Sequence, residues 1–101
     1  MKKRFIIFIE DSTKEQNDSL LDWIRSENIG WWHWFQGSWL LSNARGHLSA
    51  SVIRDKLKQI YGTSNTFVIE LNNGGDTWSG YGPDTDQKNM FTWIKKNWSS
   101  D

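Results

Sequence analysis

The sequence predicts an α+β domain, an antiparallel sheet with helices packed on one face, and three observations carry that prediction. Phe5-Ile6-Ile7-Phe8-Ile9 is apolar at both parities, the pattern of a strand covered on both faces. Ala50, Ile53, Leu57 and Ile60 recur at spacings of three, four and three, the stripe of an amphipathic helix. Between them lies Gly30-Trp31-Trp32-His33-Trp34-Phe35-Gln36-Gly37-Ser38-Trp39-Leu40-Leu41-Ser42-Asn43, two β-favouring runs joined by Gln36-Gly37. Glycine at the second turn position suits the positive φ of a two-residue hairpin loop.

The two-sided hydrophobicity of the first strand places it at the centre of the sheet. Ser12 with Glu15, and Thr13 with Gln16, form two overlapping capping boxes that open a helix between Thr13 and Asp18. Leu20, Leu21, Trp23 and Ile24 supply its apolar stripe, and Gly30 is expected to end it. After the hairpin, Ala44-Arg45-Gly46-His47 is a loop. Ser49 then caps the second helix and Gly62 follows its last turn. Asn65 to Asn72 alternates, with Phe67, Ile69 and Leu71 on one side and Thr66, Val68 and Glu70 on the other. It reads as a strand with one face less buried. Asn73 to Pro83 is a glycine-rich loop, and from about Thr85 the residues Met90, Phe91, Ile94 and Trp98 mark a third amphipathic helix.

The order is β-α-β-β-α-β followed by a helix. It is the split βαβ, ferredoxin-like arrangement, whose strand order 4-1-3-2 also makes the first strand central. Two helices cover one face of such a sheet. The apolar residues of the other parity need the third helix or a second subunit above them, and a homodimer is expected.

A chain of 101 residues makes one domain, 1–101, with a core that needs no staples. It contains no Cys, which excludes disulfides and thiolate zinc sites. The five apolar residues after Met1-Lys2-Lys3-Arg4 are too few for a signal peptide. No run approaches the roughly 18 apolar residues of a membrane span, so a cytoplasmic protein is expected. Twelve basic and twelve acidic side chains balance to zero net charge. That argues against duplex nucleic acid as a partner and leaves room for a small anion.

The topology sorts the loops into two ends. One gathers Trp31, Trp32, Arg45, His47, Trp78, Tyr81 and several glycines. Indoles stack on nucleobases, Arg offers a fork for phosphate, and glycine-bordered N–H groups cradle anions. These residue types fit a nucleotide-sized ligand, although strand aromatics also serve packing alone. The loop lacks the Lys-Ser/Thr of a P-loop. At the other end Glu10-Asp11 closes the first strand, and paired carboxylates there can hold Mg²⁺ for phosphodiester cleavage. Acids before a helix are equally favoured by its dipole.

Trp31-Trp32-His33, Ser38-Trp39-Leu40, Ile53-Arg54-Asp55-Lys56-Leu57 and Trp78-Ser79-Gly80 before a Trp-bearing last helix resemble the small SinR-family proteins. Those are relatives of the CRISPR-associated ferredoxin-like nucleases of spacer acquisition and of the VapD ribonucleases. The resemblance implies a ferredoxin-like homodimer in a prokaryote or its phage. In the nuclease relatives an Asp ends the first strand; Glu10 holds that position here, with Asp11 next. The expected function is therefore a non-enzymatic, defence-related protein that sequesters a nucleotide-like or other small anionic ligand. Metal-dependent nuclease activity through Glu10 and Asp11 is the alternative, and a protein-interaction or inhibitor module acting through a sheet face or edge is a third.

Overall fold

The computed structural model describes residues 2–71 and 89–98. Its elements are β1 (Lys3–Ile9), α1 (Lys14–Ser26), β2 (Gly30–Trp32), β3 (Ser38–Asn43), α2 (Ala50–Tyr61) and β4 (Thr66–Leu71). A short helix α3 (Met90–Trp93) then continues as a π-helical turn, Ile94–Trp98. The sheet is antiparallel in the order β2-β3-β1-β4, so β1 is central as its sequence requires. Among the described residues, no helix is long and apolar enough to cross a membrane.

Local signals set the helix ends. Of the two capping boxes, Thr13 with Gln16 forms: Gln16 N donates to Thr13 Oγ1 at 3.1 Å and Thr13 N donates to Gln16 Oε1 at 2.9 Å. The far end of α1 differs from the expectation. Asn28, at φ 56°, turns the chain after the Glu27 cap, and Gly30 instead opens β2. Asn tolerates the left-handed region because its short polar side chain bonds locally. Ser49 and Gly62 cap α2 as expected.

Pleating divides the sheet into two faces. On one, Phe5, Ile7, Ile9, Trp39 and Leu41 are buried against Leu20 and Ile24 of α1 and Ile53 and Leu57 of α2. On the other, Ile6, Leu40, Leu71 and Trp32 pack under Trp93, Ile94 and Trp98. The i→i+5 geometry of the π turn puts more residues into each turn, so that Trp93 and Trp98, five apart, both reach the sheet. Ser42 Oγ donates to Asn97 O at 2.7 Å and pins the turn, while the Trp98 ring covers the buried Arg4 guanidinium at 5.3 Å. The C-terminal stretch thus covers part of the second face. Phe8 and the β4 residues Phe67 and Ile69 on that face remain exposed.

The hairpin corrects the expected two-residue turn. Gly30 pairs with Ser42, Trp31 with Leu41 and Trp32 with Leu40, which leaves residues 33–37 as the connection. A turn at Gln36-Gly37 would pair Phe35 with Ser38, one residue out of this register. Such a slip reverses the face of every side chain in a strand. Contact with the end of β1 decides it. Ile9 N donates to Gly37 O at 2.7 Å, and a Cβ on Gly37 would collide with Ile9 O. Gly37 is required for close approach; among the described residues the glycines with positive φ are Gly46 and Gly62. Gly37→Ala forces the backbone apart there and is expected to cost about 1–3 kcal/mol. Thermal unfolding of the variant measures the loss.

Candidate functional site

β2 is an outer strand, and its successive residues point to opposite faces. Trp31 turns toward the helix-covered core and lies 5.9 Å from Trp39, centroid to centroid. Trp32 turns the other way and meets Trp93 at 6.2 Å with a tilt of 39°. A cleft of about 560 Å³ opens along this edge, lined by Ile29, Gly30, Trp31, Trp32, His33, Trp34 and Trp93. Gly30 keeps its floor low, since a Cβ there would stand 4.0 Å from Trp93 Cζ2. Trp34 is half exposed at the rim.

His33 is held from two sides. Its ring stacks on Trp39 at 3.7 Å and 2°, and Nε2 lies 3.0 Å from Gln36 O. A carbonyl only accepts, so Nε2 carries the proton and Nδ1 offers its lone pair. His33 and Trp31 also form the wall of a second cleft of about 450 Å³, completed by Lys14, Asn17, Asp18, Leu21, Gln36 and Trp39. There the hydrogen bond to Asp18, 2.9 Å long, raises the Lys14 pKa, with the charge of Asp18 adding to it. Asn17 Oδ1 accepts from the Tyr61 hydroxyl at 2.8 Å, and burial pushes that phenol up to about 12.

The structure therefore brings Trp31 and Trp32 into one indole-lined hollow. Arg45 and His47 are not among its lining residues. Arg45 is exposed in the loop before α2. His47 belongs to a structural chain: Leu48 N donates to Asn43 Oδ1 at 3.0 Å, which turns Asn43 Nδ2 toward His47 Nδ1 at 3.3 Å. The proton of His47 then sits on Nε2, 3.2 Å from Glu27 Oε1. Trp78 and Tyr81 lie outside the described residues. Trp93, His33 and Trp34 were not among the residues that the sequence pointed to at this site. Trp93 lies five residues before Trp98, a spacing that a regular α-helix would not align.

At the opposite end Glu10 Oε1 accepts from Asn65 Nδ2 at 3.0 Å, and Asp11 N donates to Ser64 Oγ at 2.9 Å. Among the described residues, no three His, Cys, Asp or Glu side chains gather closely enough to hold a metal ion. No family model, curated protein or solved structure matches this chain.

Proposed function

We propose that this chain is a non-enzymatic, ferredoxin-like binding protein, working as a homodimer, that holds a nucleotide-like ligand by its base in the cleft beside β2. The observation that carries the reading is the concentration of four indoles, Trp31, Trp32, Trp34 and Trp93, around one hollow. Its volume of about 560 Å³ falls within the roughly 300–1,000 Å³ of small-molecule sites. Trp34 at the rim closes on one face of the ring, and the tilted Trp32–Trp93 pair receives the other. The Nδ1 lone pair of His33 accepts from an exocyclic amine. Exposed Lys95 and Lys96, two and three residues beyond Trp93, supply the charge for a phosphate. The SinR-like elements support the same setting, a prokaryotic or phage protein that sequesters such a ligand.

Tryptophan-fluorescence titration against mononucleotides, dinucleotides and cyclic oligonucleotides tests the reading. Quenching with a Kd below millimolar is expected for at least one of them. Loss of one stacked ring is worth about 1–3 kcal/mol, so Trp34→Ala is expected to weaken binding by roughly five- to a hundredfold without lowering stability. A panel in which nothing binds more tightly than millimolar discards it.

A further inference from the structure

The opposite edge of the sheet carries a second kind of surface. β4 is the outer strand there, and Thr66-Phe67-Val68-Ile69-Glu70-Leu71 has a single charge and neither Lys nor Pro to block pairing. Outer strands of soluble proteins are ordinarily protected by such residues. On the sheet face left open by the C-terminal stretch, Phe67 is 62% exposed, its cross-strand neighbour Phe8 41% and Ile69 36%. Leu71, of the same parity, already packs under that stretch. The unprotected edge and the uncovered apolar face therefore adjoin.

We propose that β4 pairs antiparallel with β4 of a second copy, about a two-fold axis through Val68 and normal to the sheet. The proposal gives the homodimer named above its interface. Opposite residues of an antiparallel pair share a face, so a dyad normal to the sheet requires partners of equal parity. Centring it on Val68 sets Phe67 of each copy against Ile69 of the other, and the residues that the monomer leaves uncovered cover one another. The paired strands join two four-stranded sheets into one of eight.

Charge decides for a second copy over an unrelated strand. Glu70, exposed and without an ion pair among the described residues, falls opposite Thr66 of the other copy. Thr66 lines a groove of about 340 Å³ between α2 and β4 whose cation is Arg54. Among the described residues Arg54 meets only its neighbour Asp55, at 3.0 Å on an exposed surface, and such pairs contribute little. Each copy thus presents one acid to the other's guanidinium, twice by symmetry, in competition with the exposed Asp55. The exposed faces of Phe67, Phe8, Ile69 and the paired backbone form the centre of that interface; a stable complex usually buries about 800 Å² per partner.

Sedimentation equilibrium of the full chain tests the proposal, with thermal unfolding confirming that each variant is folded. A dimer at micromolar concentration is expected. Phe67→Lys and Ile69→Lys change exposed side chains and are each expected to raise the dimer Kd by roughly tenfold or more. Glu70→Arg is expected to weaken the dimer, and adding Arg54→Glu to restore it. A chain that stays monomeric at all concentrations overturns the proposal, as does a dimer indifferent to the lysine substitutions or a charge swap without rescue. The β2 cleft lies at the other edge of the sheet, so ligand titration of the Phe67→Lys monomer judges the binding reading separately.

Discussion

Trp39→Ala is expected to remove about 3–5 kcal/mol of stability, the range for deleting a large aromatic from a core. That is a fifth or more of the roughly 5–15 kcal/mol that holds a domain folded. Trp39 is only 2% exposed and stands at the middle of three contacts. Trp31 leans on it at 5.9 Å, His33 stacks on it at 3.7 Å, and β1 pairs with it through Ile7. Its removal leaves a cavity that rigid strands on both sides cannot fill. The melting temperature is expected to fall by about 12–40 °C, at roughly 4–8 °C per kcal/mol for a domain of this size. Trp31 and His33 wall both clefts, so binding of the proposed ligand is expected to weaken as well, even well below the melting temperature. Trp39→Phe separates volume from polarity. The indole Nε1 is buried without a hydrogen-bond partner among the described residues, and an unmade bond of this kind costs about 1–3 kcal/mol. Phenylalanine removes that cost along with part of the volume, so its loss is expected to be less than half that of alanine. Equal losses for the two variants would contradict this account of the site.

Trp98→Ala is expected to cost a similar amount, about 3–5 kcal/mol, by a different route. Trp98 is the lid of the second sheet face, over Ile6, Leu40 and Leu71, and its ring lies 5.3 Å from the Arg4 guanidinium. Arg4 is 1% exposed, and a desolvated cation over an indole gains about 2 kcal/mol or more. Without the ring, the hydrophobic surface beneath it is opened to water and the guanidinium loses its cover. The variant is expected to bind a hydrophobic dye in its folded state, which Trp39→Ala does not require. Urea unfolding gives the stability, and dye fluorescence at low urea reports the opened face. A loss under about 1 kcal/mol would place Trp98 among the surface substitutions and refute its role as a lid.

Several features were legible because short-range chemistry fixes them. Thr13 and Gln16 announce the start of α1 three residues apart, and Ser49 and Gly62 bracket α2. The two apolar parities of Phe5 to Ile9 required a central strand, and β1 has neighbours on both sides. The site was only half legible. Trp31 and Trp32 were expected at one end of the sheet beside Arg45 and His47, and they line a cleft whose further walls come instead from Trp93 and Trp34. His47 offered no sign of its partner, because Glu27 is twenty residues away and meets it only when α1 docks. The alternation of β4 was clear, yet its more apolar side is the exposed one. Pairing with Ile7 sends Val68 toward the helices and Phe67 to the open face.

By itself, then, the sequence determined where β1, α1, β3, α2 and β4 lie and which strand is central, because periodicity and caps act within a few residues of their origin. The tertiary structure decided which parity of each outer strand faces the helices. A run that is apolar on both parities, such as Trp31 to Phe35, is satisfied equally by two registers one residue apart. The choice between them rests on a contact far along the chain, where the carbonyl of Gly37 takes the N–H of Ile9 and leaves no room for a side chain.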